Sequence, residues 1–373
     1  MKPPSTFFLT VLSVLFALSF INLFSAKKLF ILSMGKYHFF VYFVITCLFS
    51  MGLFANFWGL PFAPQIARFA VFWFVMQVVV MPFWLLAVCG QMTFSSYYIK
   101  YAAVFFLFAS FFISGYGTFY ESKNIVINRS DLQLKGLDPQ LEGFRIAQIT
   151  DLHMGPYFSP ADLRMVLDKT LEQKPDVLFV TGDLIDDTSK LEQMVGIFDE
   201  FAPKFPCGIY ITWGNHEYIR GYDAINAAFA DSKSIVLKNQ NALLRDTVKP
   251  LYVIGIDYPF YRNHEARYKE FEKMLDKALV NVPQKSTKIL LSHHSIAIDN
   301  AFERNIDITL SGHTHGTQVS VFGRPIYKDA FKYIRGMYYK DDNYGFVSVG
   351  VSSWFPFRFG CPPEIVIFDL KER

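Results

Sequence analysis

The sequence predicts a chain in two parts, an N-terminal region of four transmembrane helices followed by a domain of mixed α/β structure. Two observations carry this prediction. The first 120 residues are far more apolar than the rest of the 373-residue chain, which contains 41 phenylalanines. From residue 121 onward, short apolar runs alternate with amphipathic segments, as strands and helices do when they share one core. We therefore predict domains at residues 1–120 and 121–373.

The first part contains four apolar stretches, each close to the roughly 20 residues that a helix needs to cross a bilayer. They cover residues 7–24, 39–57, 69–88 and 102–120, and none contains a charged side chain. A core helix of a soluble domain would carry a polar face, which these stretches lack. A cleaved signal peptide would explain only the first of them. The pattern predicts a multi-pass protein of the cell membrane.

The orientation follows less directly from the loops. Four crossings put the N-terminus and the C-terminal domain on the same side. Lysines and arginines near the helix ends divide four against four between the two sides, so their number does not decide the matter. The densest group, Lys27, Lys28 and Lys36, lies in the first loop. Placing this loop in the cytoplasm puts the C-terminal domain on the extracytoplasmic side.

Charge and cysteine content argue against two classes of function. The net charge of +3 is too small to imply nucleic-acid binding. The four cysteines form no disulfide framework and no zinc motif. The partner that the composition does imply is the lipid bilayer.

The C-terminal part reads as strands separated by helices. Strands are predicted at residues 125–134, 146–150, 177–181, 208–212, 234–238, 242–245, 251–256, 288–291, 306–310, 345–351 and 364–370. One helix begins at Ser159-Pro160, a typical N-cap and first-turn pair, and ends before Lys174-Pro175. Two more helices are predicted at residues 191–201 and 264–280. Continuous apolar runs such as 177–181 are typical of strands buried on both faces.

Five of these strands end in Asp, His or Asn within a residue or two. Taken singly, such residues are ordinary turn and helix-capping residues, and Glu217 is an ordinary acid at a helix start. Together they include six of the eight histidines, beside carboxylates and an amide and without any thiolate. First-row divalent metals accept these ligands. The set is too large for one tetrahedral ion with an open position, and it suits two ions about 3.5–4 Å apart.

The order of the motifs resembles the calcineurin-like metallophosphoesterase superfamily. The motifs are Asp151-x-His153, Gly182-Asp183, Gly214-Asn215-His216-Glu217, His293, and Gly312-His313-x-His315. Residues 143–146, 317–318, 356–358 and 363–365 resemble its membrane-associated branch, which includes envelope phosphodiesterases. The resemblance covers about residues 122–370 and implies a β-sandwich flanked by helices. Thr317 departs from the pattern, because members usually carry a second glycine there, but it removes no ligand.

The resemblance also implies roles for individual residues. One metal would be held by Asp151, His153, Asp183 and His315, and the other by Asp183, Asn215, His293 and His313. Asp183 would bridge two divalent ions of manganese, iron or zinc, and a metal-bound hydroxide would attack phosphorus. His216 would be catalytic, stabilising charge or protonating the leaving oxygen. His294 would flank the ligands.

The sequence therefore predicts a membrane-anchored hydrolase of a phosphomonoester or phosphodiester. A site held near the bilayer favours a lipid-linked phosphate. Arg358 is a candidate for binding the phosphate through a bidentate contact, and an ordinary surface salt bridge is its alternative. The alternative for the whole chain is a transporter or channel with a metal- or nucleotide-sensing domain. Such proteins usually carry ionisable or helix-breaking residues within the membrane, and here only Pro82 breaks a predicted span.

Overall fold

The computed structural model describes residues 5–30, 62–90, 96–261, 263–329, 331–353 and 355–373, with isolated positions between residues 37 and 52. The chain forms two compact units. The first comprises Met1–Ser122 and Phe355–Phe359, and the second comprises Lys123–Trp354 and Gly360–Arg373. The predicted span at residues 39–57 lies almost entirely outside the described residues.

Long apolar helices make up the described part of the first unit. They are α1 (Ser5–Phe30), α2 (Ala63–Gly90) and α3 (Ser96–Gly115). In this part of the chain, α2 and the segment Tyr97–Lys123 are long and apolar enough to cross a membrane, by length and composition. Only 28% of each apolar window is buried, unlike the core helix of a soluble domain. The predicted spans 69–88 and 102–120 coincide with these helices, whereas the four-helix region as a whole stays a prediction.

A short segment from late in the sequence packs within the first unit. A π-helical turn, Tyr116–Tyr120, follows α3. The Arg358 N–H donates to the Gly117 carbonyl at 3.1 Å. A Cβ atom at Gly117 would lie 2.6 Å from the Arg358 carbonyl oxygen and 2.8 Å from Phe357 Cδ2. Only glycine permits this approach of the two backbones.

The second unit contains two mixed six-stranded sheets. The spatial order of the first is β1 (Val126–Leu134), β14 (Glu364–Glu372), β2 (Arg145–Ile149), β3 (Val177–Thr181), β4 (Ile209–Thr212) and β5 (Ile235–Val236). Every pair of neighbours in it is parallel except β14 with β2. The strands β2, β3 and β4 thus lie side by side and end at the same edge.

The second sheet has parallel strands at its centre and antiparallel pairs at both sides. Its spatial order is β12 (Gly336–Lys340), β13 (Asn343–Val347), β9 (Ile308–Ser311), β8 (Thr287–Leu291), β7 (Leu251–Gly255) and β6 (Gln240–Arg245). A separate antiparallel hairpin joins β10 (Ser320–Val321) to β11 (Arg324–Pro325).

The two sheets pack face to face through one apolar core. Phe179 and Phe368 of the first sheet are fully buried in the same cluster as Leu291 and Leu310 of the second. Helices α4 (Pro160–Leu171), α5 (Leu191–Phe201) and α6 (Asn215–Ala228) pack on the other face of the first sheet. Helices α7 (His264–Ala278) and α8 (Ala297–Glu303) pack on the other face of the second. The predicted α/β domain is confirmed, as a sandwich of mixed sheets between helices.

Candidate metal centre

The loops that follow five parallel strands carry the predicted site. The strands β2, β3 and β4 are neighbours in one sheet, and β8 and β9 are neighbours in the other. The loops and the first turn of α6 hold every predicted metal ligand and the predicted catalytic histidine: Asp151, His153, Asp183, Asn215, His216, His293, His313 and His315. Residues more than 160 positions apart, Asp151 and His313, are thereby joined by a hydrogen bond.

Close backbone contacts hold these loops together. The Asp151 N–H donates to the Gly182 carbonyl at 3.0 Å. Between the two sheets, the His313 N–H donates to Asp151 Oδ2 at 3.1 Å. A Cβ atom at Gly182 would lie 2.7 Å from both Gly214 N and His293 Nδ1, so this position admits only glycine. Backbone contacts and a required glycine therefore hold the ligand loops together.

Three groups of side chains in the described part of the chain bring their ligand atoms within 4.8 Å of one another. They are Asp151, His153 and His315; His153, Asp183 and His216; and Asp183, His293 and His313. Asp183 belongs to two of the groups, and the three groups together contain six of the seven predicted ligands. The seventh is Asn215, whose Oδ1 is buried without a hydrogen-bond partner among the described residues.

The surroundings of His293 determine which of its nitrogens carries the proton. Its Nδ1 donates to the Thr181 carbonyl at 2.7 Å, which leaves Nε2 as an acceptor in the neutral ring. This Nε2 lies 3.1 Å from Asp183 Oδ2 and 3.2 Å from His313 Nδ1. Acceptor atoms this close repel each other unless a cation lies between them. The arrangement suits a divalent metal, for which a proton is the competitor.

The group of Asp151, His153 and His315 also brings ligand atoms close together. His153 Nδ1 lies 3.3 Å from Asp186 Oδ2, while His153 Nε2 faces His315 Nε2 at 3.1 Å. His315 Nε2 is 3.3 Å from Asp151 Oδ1, outside hydrogen-bond geometry. Asp151 Oδ1 is buried and has no hydrogen-bond partner in the described structure. Leaving a buried carboxylate oxygen unpaired is costly, and a bound cation would supply the missing partner.

Burial and charge act against each other in this cluster. Burial disfavours a charged His293, but the Asp183 and Asp151 carboxylates outweigh it and raise the pKa of His293 to about 9. Burial, aided by His293, lowers the pKa of His313 to about 3. Burial also raises the pKa of Asp183, yet His293 and His153 hold it well below its usual value. An ionised carboxylate and a neutral imidazole are the forms that coordinate a metal.

Sequence reasoning missed Asp186, which contacts two of the predicted histidines. Its Oδ1 accepts from His216 Nδ1 at 2.5 Å, and from Arg220 Nε and Nη2 at 3.2 and 3.1 Å. Burial raises the pKa of Asp186, but hydrogen bonds from His153 and His216 outweigh it and hold the pKa well below its usual value. The carboxylate keeps the His216 proton on Nδ1 and leaves Nε2 4.0 Å from Asp183 Oδ2. Its position three residues after Asp183 was the available signal.

Glu217 has a larger role than that of an acid at a helix start. It is fully buried within the first turn of α6. Its carboxylate accepts from three backbone N–H groups, those of Gly214 at 2.7 Å, Asp183 at 3.1 Å and Leu184 at 2.6 Å. Glu217 therefore holds the Asp183 loop against the loop that carries Asn215 and His216.

Most of the predicted ligands have an unusual backbone conformation. Five of them have positive φ: Asp151 (55°), His153 (45°), Asp183 (54°), His313 (74°) and His315 (51°). For residues other than glycine this conformation costs roughly 1–2 kcal/mol each. Such strain persists only where the surroundings impose it, and it concentrates at functional sites. Thr317 has a φ of 61°, which a glycine would adopt without strain.

Besides Asn215, two predicted residues lie outside the three groups. His294 is buried, its ring stacks on His313 at 4.9 Å, and its Nε2 lies 3.0 Å from Arg267 Nη1. This position agrees with its predicted flanking role. Arg358 belongs to the first unit and is fully buried, whereas the three groups belong to the second. It is not the surface residue of the alternative reading, and its binding of phosphate stays a prediction.

Comparison with known proteins points to one family. The family model described as calcineurin-like phosphoesterase matches residues 144–317. An uncharacterised metallophosphoesterase of Aquifex aeolicus is 30% identical, over 63% of this chain and 88% of that protein. A putative metallophosphoesterase of Caenorhabditis elegans is also 30% identical, over 62% of this chain and 49% of its own length. A Danio rerio protein named as a transmembrane protein with a metallophosphoesterase domain is 28% identical, over 51% of this chain and 44% of its own.

The matched region contains all seven predicted ligands together with His216. Its two mixed sheets, its shared Asp183 and its clustered ligand atoms lead to the same conclusion as the relatives. The chain belongs to the calcineurin-like phosphoesterase family of metal-dependent phosphoric ester hydrolases.

Proposed function

We propose that this protein is a membrane-anchored phosphoesterase that uses two divalent metal ions to hydrolyse a lipid-linked phosphomonoester or phosphodiester. The observation that carries the proposal is a pair of close contacts between atoms of the predicted metal ligands. His293 Nε2 faces Asp183 Oδ2 at 3.1 Å, and His153 Nε2 faces His315 Nε2 at 3.1 Å. Both contacts become favourable when a cation lies beside them, and family membership supports the class of reaction.

The ligands divide between two ions that share Asp183. One ion is assigned to Asp151, His153, Asp183 and His315, and the other to Asp183, Asn215, His293 and His313. Manganese, iron and zinc all accept carboxylate, amide and imidazole ligands. When bound, such ions neutralise charge on the phosphoryl oxygens and lower the pKa of a water molecule.

His216 is proposed to donate the proton that the leaving oxygen needs. Its Nδ1 donates to Asp186, so the proton for the substrate must come from Nε2. The contact with the Asp186 carboxylate fixes the orientation of the ring. The His216 side chain is 18% exposed, compared with 1% for His153, which gives it access to a substrate.

Residues 1–120 are proposed to anchor the protein through four spans, at 7–24, 39–57, 69–88 and 102–120. The two helices of membrane-crossing length support this proposal, as does the name of the Danio rerio relative. The domain at residues 121–373 is proposed to lie on the extracytoplasmic side. Protease added to intact cells should digest this domain; protection in intact cells and digestion only in inverted vesicles would place it in the cytoplasm.

Nitrophenol release by the full-length protein in detergent with manganese tests the activity. Nitrophenyl phosphate and bis-nitrophenyl phosphate separate monoesterase from diesterase activity. Asp183→Asn and His216→Ala should each lose most of the turnover. Full activity in both variants would refute the assignment of the site.

The lipid part of the proposal has its own test. Phospholipid head groups, glycolipid phosphates and isoprenoid phosphates in mixed micelles should release phosphate or a phosphorylated head group. Cleavage of soluble nucleotides together with unchanged lipid phosphates would refute the lipid substrate and leave the phosphoesterase activity in place.

A further inference from the structure

The hairpin formed by β10 and β11 carries a phenylalanine at its tip. Pairing of Val321 with Arg324 leaves Phe322 and Gly323 as a two-residue turn. Both have positive φ, 49° and 76°, as a type I′ turn requires. Asn-Gly makes this turn with less strain, and Phe322 is 99% exposed without a ring contact to any described residue. Nothing within the fold favours an aromatic side chain at this position.

The tip continues into a larger apolar surface. Val321 is 46% exposed, Ile326 48% and Tyr327 66%. We refer to these three residues and Phe322 as the tip patch. Single exposed apolar residues are ordinary on protein surfaces, whereas a contiguous group marks an interaction site.

Hydrogen bonds hold the hairpin at its turn and at its base. Arg335 Nη2 donates to the Gly323 carbonyl at 2.6 Å, which fixes the turn itself. The Ile326 N–H donates to the Val319 carbonyl at 3.2 Å and extends the ladder by one bond. The exposed side chains therefore stand on a supported strand pair.

The charge around the tip patch indicates what it contacts. Residues 319–340 contain five lysines and arginines and one aspartate. Arg324 and Lys328 are exposed, and neither makes an ion pair with a described residue. An apolar tip beside unpaired cations is complementary to a surface with an apolar interior and anionic groups at its boundary.

We propose that the tip patch enters the head-group region of an anionic phospholipid bilayer. The aromatic and aliphatic side chains would lie at the boundary between head groups and acyl chains, and Arg324 and Lys328 would contact lipid phosphates. A bilayer is favoured over a protein partner because the same chain carries helices of membrane-crossing length. Covalent linkage to such helices raises the effective concentration of lipid at the hairpin.

The contact has a consequence for the candidate metal centre, which rests on the proposed function. The segment 319–340, which contains the tip patch, begins shortly after His315. It returns to the metal centre, since the Phe331 ring lies 5.7 Å from the His313 ring. Thr314 Oγ1 also donates to the Ile334 carbonyl at 2.5 Å. Lipid bound at the tip patch would therefore be connected through one short segment to His313 and to Thr314, the residue between two predicted ligands. This connection favours a head-group phosphate as the substrate class.

Photo-crosslinking of the full-length protein in vesicles tests the contact. Phe322 is replaced by p-benzoylphenylalanine, and the protein is reconstituted into phosphatidylglycerol–phosphatidylcholine vesicles and irradiated. Val248 is the matched control, because it is 95% exposed and lies in the loop between β6 and β7 of the same unit. We expect at least about tenfold more lipid adduct at position 322 than at 248, as judged by mass spectrometry. Equal yields at the two positions, or protein–protein adducts in place of lipid adducts at 322, would overturn the proposal.

The charge requirement is tested in the same preparation. Arg324→Gln combined with Lys328→Gln should lower the adduct yield at 322 on the order of tenfold in anionic vesicles, and much less in pure phosphatidylcholine. An unchanged yield in anionic vesicles would refute the role of the cations. Adduct formation needs no hydrolysis, so the Asp183→Asn background should give the same yields. A failure of phosphoesterase activity is thereby separated from a failure of bilayer contact.

Discussion

The most informative single change at the site is Asp186→Asn. The carboxylate serves His216 and Arg220 through Oδ1 and lies 3.3 Å from His153 through Oδ2. An amide of the same size has one acceptor oxygen and one donor nitrogen. It can accept from one of the two imidazoles but must turn an N–H towards the other. It also removes the negative charge beside the His216 ring.

The expected loss follows from these two effects. Removing the partner that orients a metal-ligating or catalytic histidine typically costs 10- to 100-fold. Loss of a positioned general acid costs a further factor when the leaving oxygen needs a proton. We expect kcat for an alkyl phosphate ester to fall roughly 100-fold, which corresponds to about 2.7 kcal/mol of transition-state stabilisation.

The assay compares an alkyl ester with a nitrophenyl ester in the same variant. Nitrophenolate leaves without a proton, so with this substrate the loss should shrink to about tenfold or less. Asp187→Asn is the matched control, because it makes the same chemical change one residue away. Asp187 accepts from Ser189 and pairs with Lys190, and it contacts neither histidine.

Metal content and the thermal midpoint separate positioning from misfolding. Metal measured in both variants shows whether a loss of turnover comes from a lost ion. Turnover of Asp186→Asn equal to that of Asp187→Asn would refute the role assigned to Asp186. An equal loss with both leaving groups, at full metal content, would refute the assignment of His216 as the proton donor.

Three further predictions follow from other contacts. Glu217→Gln replaces a buried carboxylate that accepts three backbone N–H bonds. The free energy of unfolding of the second unit should therefore fall by about 1–3 kcal/mol in denaturant titration. An unchanged unfolding midpoint would contradict this prediction. Gly117→Ala should release the Phe355–Phe359 segment and increase proteolysis there. Gly115→Ala is the control and should not, because its added Cβ would lie at an ordinary 3.7 Å from Phe72. Equal proteolysis of the two variants would contradict the prediction. Removing divalent metal with a chelator should abolish turnover and lower the thermal midpoint. An ion present at 1,000 times its Kd contributes about 4 kcal/mol to the stability of the folded state. Full activity after verified metal removal would contradict the metal assignment.

Local pattern was sufficient for the elements whose signals are strong. The predicted strand at 177–181 and helix at 191–201 agree with β3 and α5 residue for residue. The predicted helix start at Ser159 is a capping box, in which the Ser159 hydroxyl accepts from the Asp162 N–H and the Asp162 carboxylate accepts from the Ser159 N–H. These features depend on neighbours in sequence, which is why the sequence alone predicts them.

Features that depend on distant residues or on short segments were missed. Helix α6 begins inside a ligand motif and contains Gly221 at a φ of 122°, so its apolar period is interrupted. Helix α8 has only seven residues, and β12 was not predicted at all. The pairing of β1 with β14, more than 230 residues apart, has no local signal. Helix and strand periodicity therefore predicted the components and not their arrangement.

At the site, residue type was a better guide than residue spacing. The predicted ligands share carboxylate, amide and imidazole chemistry, and the structure brings the six carboxylate and imidazole ligands together in three overlapping groups. The roles of Asp186 and Glu217 were not predicted, because they depend on which atoms these side chains contact in the folded structure. Arg358 was predicted to bind phosphate because a guanidinium can make a bidentate contact. It lies fully buried in the first unit, and its role stays a prediction.

The backbone at the ligand positions explains why the fold tolerates an otherwise unfavourable cluster. Five ligands with positive φ carry a combined cost of several kcal/mol. Without a proton or a metal ion, the same loops would also hold acceptor atoms against each other, which is a second cost. Both costs fall on residues that contribute little to either apolar core, while the strands that precede them are buried at every position except Arg145. The sandwich thus supplies the stability, and the loops at the ends of its strands keep a conformation that a bound cation would relieve.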